Sequence, residues 1–165
     1  MIKQPRLQIM PIKKMIAWVN EHGDADVAIL VASSYDVDSS QLPKNCISQI
    51  FDDIDYEVVG RSLTQNQAQK YADFIRTLPE SNNLIICSCN TGESRSAALC
   101  AALCEYYHTD ASWIWDSPKY HPNMLVFDLV TKEMGLAIDD TRMDELFWRN
   151  QHAFTLAINH IREVH

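Results

Sequence analysis

The feature that most constrains the fold is a stretch of chain, residues 94–107, that is apolar on every side. It is rich in alanine and leucine, and Arg95 and Glu105 are its only charged residues. The composition predicts a helix, and a helix without a polar face has to be covered by other elements all round. We therefore expect it at the centre of the domain, with the rest of the chain built around it.

Short apolar runs with β-branched residues, bounded by polar or turn residues, indicate four strands. They cover residues 7–10, 27–32, 47–51 and 84–88. The spacing of apolar residues predicts further helices at 12–19, at 65–78, from about 123, and from about 143 to 164. This alternation favours an α/β fold, in which a central, mostly parallel sheet of four to five strands carries helices on both faces.

Composition indicates an ordinary globular protein, and we interpret residues 1–165 as a single domain. Four glycines and six prolines are scattered along the chain, and no linker or repeat marks a boundary. The 14 basic and 22 acidic residues leave a net charge of −8. Nucleic acids and anionic membrane surfaces are held by excess lysine and arginine, so we expect neither as a partner. No apolar run approaches the roughly 18 to 20 residues of a membrane span.

The five cysteines bear on the compartment and on metal binding. No signal peptide is indicated, because Lys13 and Lys14 interrupt the apolar stretch near the N-terminus. An odd number of cysteines without an export signal favours free thiols in the cytoplasm, which is the predicted location. The Cys87-x-Cys89 spacing lacks the two-residue spacer and the second ligand pair of common zinc sites, so no metal is expected.

Three of these cysteines are interpreted as packing residues. Cys100 and Cys104 lie one turn apart on the helix that is predicted to be buried. Cys87 is expected to point to the side of its strand opposite Cys89 and to pack in the core. The chemistry is therefore sought at Cys89.

The chemically informative segment passes from a predicted strand through a loop into the central helix. Cys89, Gly92 and Arg95 form the pattern Cys-x2-Gly-x2-Arg, which is expected by chance about 0.005 times in a chain of this composition. A loop that enters a helix N-terminus turns its N–H groups inward and makes a concave anion site. Gly92 permits the tight turn, and the Arg95 guanidinium is able to clamp two oxygens of a phosphate.

The same field that binds an anion would act on the thiol beneath it. It would lower the pKa of Cys89 from about 8.5 into the range where a thiolate is present at neutral pH. Ser96 is placed to donate a hydrogen bond to the sulfur, which helps the sulfur to leave when a thiophosphate is hydrolysed. The spacing therefore predicts a phosphate site with a cysteine nucleophile.

The loop resembles the phosphate-binding loop of cysteine-dependent protein phosphatases, particularly the small dual-specificity type found in compact bacterial and phage proteins. The resembling run is Cys89-Asn90-Thr91-Gly92-Glu93-Ser94-Arg95-Ser96. The helix at 71–75 and the Pro122-Asn123 pair extend the likeness to about residues 45–130. The resemblance implies a phosphotyrosine-phosphatase-like fold and hydrolysis of phosphomonoesters through a cysteinyl phosphate, without a cofactor. It implies that Cys89, Arg95 and Ser96 are catalytic and that residues 90–95 bind phosphate.

These phosphatases use an aspartic acid on a separate loop to protonate the leaving oxygen. Asp52, Asp53 and Asp55 close a predicted strand at a suitable distance before the cysteine. We favour Asp53, because the resembling bacterial sequences carry a Phe-x-Asp-Ile pattern there; Asp55 is second and Asp52 third. Solvated acidic residues in a turn are the competing interpretation.

Two positions depart from the usual pattern. Ser88 precedes the nucleophile where these phosphatases usually have a histidine, which orders the loop and supports a low thiol pKa. This change favours an alternative function, a pseudophosphatase that binds a phosphorylated partner. Glu93 either points to solvent or repels very acidic substrates. A rhodanese-like sulfur transferase is a third, less favoured function.

The substrate class follows from the loop. The expected partner is a phosphorylated protein or a small phosphomonoester, and inositol polyphosphates are disfavoured because the loop has no lysine. Phosphotyrosine versus phosphoserine or phosphothreonine preference and the oligomeric state stay open. His121 is expected near the loop by resemblance, though packing is the simpler interpretation, and Asn123 is expected to cap a helix. Trp113 and Trp115 are expected in a partly buried surface element.

Overall fold

The computed structural model describes residues 3–164. The strands are β1 (Arg6–Pro11), β2 (Val27–Ser33), β3 (Cys46–Ile50) and β4 (Leu84–Cys89). The helices are α1 (Ile12–His22), α2 (Gln65–Arg76), α3 (Arg95–Tyr107), α4 (Ser112–Trp115), α5 (Met124–Glu133) and α6 (Asp140–Val164). The four predicted strands and the five predicted helices are all confirmed, and α4 is an element that the sequence patterns did not indicate.

The strands form one parallel sheet in the order β1-β4-β2-β3. β4 lies between β1 and β2, and its last residue, Cys89, is in register with Pro11 on one side and Ala32 on the other. Because all strands run the same way, their carboxyl ends meet at one edge, where α/β proteins bind ligands. The loop after β4 is therefore held in the middle of that edge.

Helices cover both faces of the sheet, which confirms the predicted fold class. On one face, α1 packs Ile12 and Met15 against Ile29, Val31 and Ile86. On the other face lie α2, α3 and α5. Residues 95–104 of α3 are all buried, so the prediction of a central helix is confirmed. Across the described residues, no helix combines the length and the apolar character needed to cross a membrane.

Two predictions about side chains are wrong. Cys87 and Cys89 pack in the same core cluster, because strand side chains alternate with a period of two and residues two apart share a face. Cys87 is fully buried, as expected, but on the α3 side rather than opposite Cys89. Trp115 is only 1% exposed and packs edge-to-face on Phe127, because α4 tucks it into the core. Trp113 alone is partly exposed.

Candidate active site

Gly92 shows how closely the loop after β4 is packed against β1. It has φ +72°, and a Cβ at this position would lie 2.7 Å from the backbone N of Pro11 and 2.9 Å from its Cδ. Neither contact is tolerable, and a positive φ strains any residue with a side chain. Position 92 therefore requires glycine for two reasons, of which the sequence indicated only the turn.

The Cys89 thiol is surrounded by hydrogen-bond donors of the loop. Its Sγ lies 3.0 Å from Ser96 Oγ and accepts from the Gly92 N–H at 3.3 Å. Burial raises the pKa of Cys89, but the Ser96 hydroxyl and the backbone N–H groups of Ser96, Gly92 and Glu93 together outweigh it. The net pKa lies below that of an ordinary thiol, because these donors favour the thiolate.

Ser88 takes no part in this lowering of the pKa. Its side chain points to the α1 side of β4, opposite Cys89, and its hydroxyl donates to the Met10 carbonyl at 2.8 Å. It is fully buried and ties β4 to β1 directly before the loop. The contacts that lower the thiol pKa are therefore supplied by the loop and α3.

Arg95 begins α3 and is 5% exposed. Its Nη1 donates to Ser34 Oγ at 2.9 Å and to the Phe51 carbonyl at 2.7 Å, and its Nη2 donates to Asn90 Oδ1 at 2.6 Å. These partners are neutral, so no carboxylate among residues 3–164 is hydrogen-bonded to the guanidinium. Its Nε is buried and has no hydrogen-bond partner within the described chain. A buried donor without an acceptor is costly, so this side chain is suited to receive an anion.

The remaining loop side chains divide by exposure. Asn90 Oδ1 accepts from both Arg95 and the Ser34 N–H, so its side chain braces the arginine. Thr91 and Glu93 have exposed side chains. Exposure of Glu93 agrees with the first of the two alternatives for its carboxylate, that it points to solvent. Direct phosphate contacts of residues 90–94 stay a prediction that rests on their backbone N–H groups.

The structure separates the three candidate acids. Asp53 Oδ1 accepts from the hydroxyl of Ser94 at 2.8 Å, which brings this carboxylate to the loop. Asp52 instead forms a salt bridge with Arg61 at 3.0 Å. Asp55 is exposed and shares a pocket with Asp53. Of the three, Asp53 is hydrogen-bonded to the loop.

Asn123 joins three parts of the site. Its Oδ1 accepts from the Val126 N–H at 3.1 Å, which confirms the predicted helix cap. Its Nδ2 donates to Asp53 Oδ1 at 2.8 Å and to the Ile54 carbonyl at 3.1 Å. Its backbone N–H donates to the Ser94 carbonyl at 3.2 Å. The contact with Asp53 spans 70 residues, and the Pro-Asn pair is the sequence signal that pointed to this position.

His121 also lies against the loop, since its backbone N–H donates to the Glu93 carbonyl at 2.9 Å. Its ring packs edge-to-face on Phe154 of α6, so it is a packing residue that also faces solvent-accessible space. A pocket of about 280 Å³ opens beside it. The lining includes Asp53, Asp55, Ser94, His121, Phe147 and Gln151.

Within residues 3–164 no group of three or more His, Cys, Asp or Glu side chains is placed to hold a metal ion.

No protein-family model matches the chain, and no curated protein matches it. Among solved structures it is similar to PTPMT1 in complex with PI(5)P, at 12% identity and a TM-score of 0.44, over 94% of this chain and 96% of that one. A second PTPMT1 structure is similar at 14% and 0.42, over 96% and 97%. A leucine rich repeat and phosphatase domain containing protein from Entamoeba histolytica is similar at 12% and 0.39, over 94% and 92%. Similarity at these identities and TM-scores assigns no chemistry to the site, so the chemistry is inferred from the site's own residues.

Proposed function

We propose that this protein is a cysteine-dependent phosphomonoester hydrolase of the dual-specificity phosphatase type, with Cys89 as nucleophile. One observation carries the proposal: a thiol whose pKa is lowered by loop donors lies six residues before an arginine with an unpaired, buried Nε. A thiolate and an anion-binding guanidinium held by one loop are what covalent phosphoryl transfer requires.

In the first step the Cys89 thiolate attacks phosphorus. The S–P bond forms as the P–O bond to the leaving group breaks, and Asp53 gives its proton to the departing oxygen. The backbone N–H groups of the loop and the Arg95 guanidinium stabilise the charge on the three equatorial oxygens.

In the second step a water molecule attacks the cysteinyl phosphate and inorganic phosphate leaves. Asp53, now a carboxylate, takes a proton from this water. The sulfur leaves as a thiolate, and the Ser96 hydroxyl at 3.0 Å stabilises it by hydrogen bonding. The scheme uses no metal or organic cofactor.

The substrate in this proposal is a phosphorylated protein or a small phosphomonoester. The pocket beside Asp53 carries a second carboxylate, Asp55, and the loop carries no lysine. Like-charge repulsion in the pocket, with no loop lysine to offset it, disfavours a leaving group with further phosphates.

A pseudophosphatase is the second candidate, and Ser88 is the feature that favours it. The hydrogen bonding of Cys89 supports the enzyme instead. The donors that lower its pKa come from Gly92, Glu93 and Ser96, so they do not depend on a histidine at position 88. A rhodanese-like sulfur transferase would form a persulfide with thiosulfate, which is directly measurable.

The decisive experiment compares the wild type with Cys89→Ser on a small aryl phosphate. We expect the wild type to release phosphate and the variant to fall to the uncatalysed rate, while the variant still binds vanadate. Cys104→Ser is the matched control, since this thiol is equally buried and lies at the far end of α3. Full activity in Cys89→Ser would remove the nucleophile from the proposal, and vanadate binding without any turnover by the wild type would leave the pseudophosphatase.

A further inference from the structure

We propose that Ser94 is a positioning residue that, with Asn123, fixes which oxygen of Asp53 carries the proton. This inference rests on the proposed function, in which Asp53 is the general acid. It concerns a residue that the loop pattern marks only as a phosphate-binding position.

The first observation is that Ser94 does not do what a serine at its position usually does. It is the N-cap residue of α3, where a serine side chain normally accepts a hydrogen bond from the first turn of the helix. No such bond is formed here. The hydroxyl instead donates to Asp53 Oδ1 at 2.8 Å, across 41 residues of sequence. Helix α3 therefore has no side-chain cap from Ser94, and Asp53 has a fixed hydrogen-bond partner.

The second observation is that Asn123 donates to the same oxygen, at 2.8 Å. Its orientation is determined from both sides of the amide. Its Oδ1 accepts from the Val126 N–H, and its Nδ2 also donates to the Ile54 carbonyl. The group that faces Asp53 is therefore the NH₂, which is able only to donate.

Two donors on one oxygen decide where the acid proton lies. The Asn123 NH₂ is able only to donate, so Asp53 Oδ1 serves both partners best as the unprotonated oxygen, which is the carbonyl oxygen of the neutral acid. The proton is therefore carried on Oδ2, the oxygen that makes none of these bonds. Asp53 is otherwise exposed, so without these donors its carboxyl group would rotate and present either oxygen. Because the carboxyl group is already oriented, the entropic cost of orienting it is no longer part of the barrier to proton transfer.

Ser94 also links this orientation to the phosphate site, because it directly precedes Arg95. Its carbonyl accepts from the Asn123 N–H at 3.2 Å, so loop, cap and acid form one hydrogen-bonded unit. This unit fixes the position of the acid proton on Asp53 Oδ2 relative to a phosphoryl group bound by Arg95.

The test is a series of phosphate esters whose leaving groups range from a stable phenolate to an alkoxide. We expect Ser94→Ala and Ser94→Gly to lower kcat for the poor leaving groups by about tenfold, the scale of one hydrogen bond, and for the good ones by less than about twofold. Glycine is well accepted at an N-cap, so it tests the hydroxyl even if alanine disturbs the helix start. Ser94→Thr keeps the hydroxyl and should restore the rate.

The matched control is Ser40→Ala. Ser40 Oγ donates to Asp38 at 2.7 Å in the connection between β2 and β3, so this variant also removes a serine–aspartate bond. It should leave the whole ester series unchanged. Equal losses on all esters in both Ser94 variants, or failure of threonine to restore the rate, would overturn the assignment.

Two further variants in the same series separate this inference from the proposed function. If Cys89→Ser keeps its activity, the proposed function fails. If Cys89 is required and Asp53→Asn shows the leaving-group dependence while both Ser94 variants do not, only the positioning role of Ser94 fails.

Discussion

Cys89 and Cys104 are two thiols with the same exposed fraction, 1%, and with pKa values shifted in opposite directions. Cys89 lies before the amino end of α3 and is surrounded by backbone N–H groups and the Ser96 hydroxyl. Cys104 lies near the carboxyl end of the same helix, where its hydrogen bond with Cys100 and its burial both raise the pKa.

Burial alone therefore does not decide the chemistry of a cysteine. At the amino end of a helix the backbone offers donors and positive potential, and at the carboxyl end it offers acceptors and negative potential. Cys46, on β3, shows what burial does without such donors, since it raises the pKa of that thiol to about 12.

The largest effect is expected from Gly92→Ala, which should make the surroundings of Cys89 more like those of Cys104. The new methyl group would meet the Pro11 backbone at under 3 Å and push the loop away from the sulfur. We expect kcat/KM for an aryl phosphate to fall about 10³-fold, from lost donors and misplaced groups. Gly60→Ala is the control, because its Cβ would meet nothing within 4 Å at nearly the same φ. Similar losses in both variants would contradict the role given to the Pro11 contact.

The next effect separates the acid from the nucleophile. Asp53→Asn should slow hydrolysis of esters with poor leaving groups by about 10² or more, the scale of general acid catalysis, and spare esters with good ones. The pH dependence of Cys89 alkylation should stay unchanged, because the donors to its sulfur are intact. Asp52→Asn and Asp55→Asn serve as comparisons on the same turn. The leaving-group dependence appearing in Asp55→Asn alone would move the acid two residues along.

A smaller effect is expected from Ser96→Ala, which removes a donor from Cys89 Sγ. Loss of a donor destabilises the thiolate, so the thiol pKa should rise and the alkylation curve with iodoacetamide should move to higher pH. Breakdown of the cysteinyl phosphate should slow by about tenfold. If the alkylation curve does not move, the backbone N–H groups alone lower the pKa of Cys89, and the Ser96 hydroxyl has no part in it.

The smallest effect is expected from Cys104→Ala. This thiol contacts Cys100 and the core rather than the loop, so turnover should stay within about twofold of the wild type, while the free energy of unfolding falls by about 1 kcal/mol. Denaturant unfolding and the aryl phosphate assay measure the two quantities. A large loss of turnover without unfolding would show that the thiol at the carboxyl end of α3 is coupled to the site at its amino end.

The helices, the strands and the loop after β4 were predictable because each is local in sequence. The apolar run of α3 placed it at the centre, and the spacing of Cys89, Gly92 and Arg95 indicated the turn between β4 and α3 within seven residues. The contact of Gly92 with Pro11 and the bonds of Ser94 and Asn123 to Asp53 were not predictable, because they join segments 41 to 81 positions apart. The side of the sheet on which Cys87 lies was predictable, because residues two apart in a strand share a face and Cys87 is two residues before Cys89.

The anchoring of the loop on β1 has a consequence for how the chain acquires its site. Ser88 bonds to Met10 across 78 residues, and Gly92 rests on Pro11, so the loop needs the first strand as its support. Contacts this distant in sequence are slow to form, since a long segment has to be closed first. We expect β1 to dock beside β4 before the loop closes. The pKa of Cys89 is therefore expected to fall only late in folding, when the loop closes. In a partly folded chain Cys89 would be an ordinary thiol.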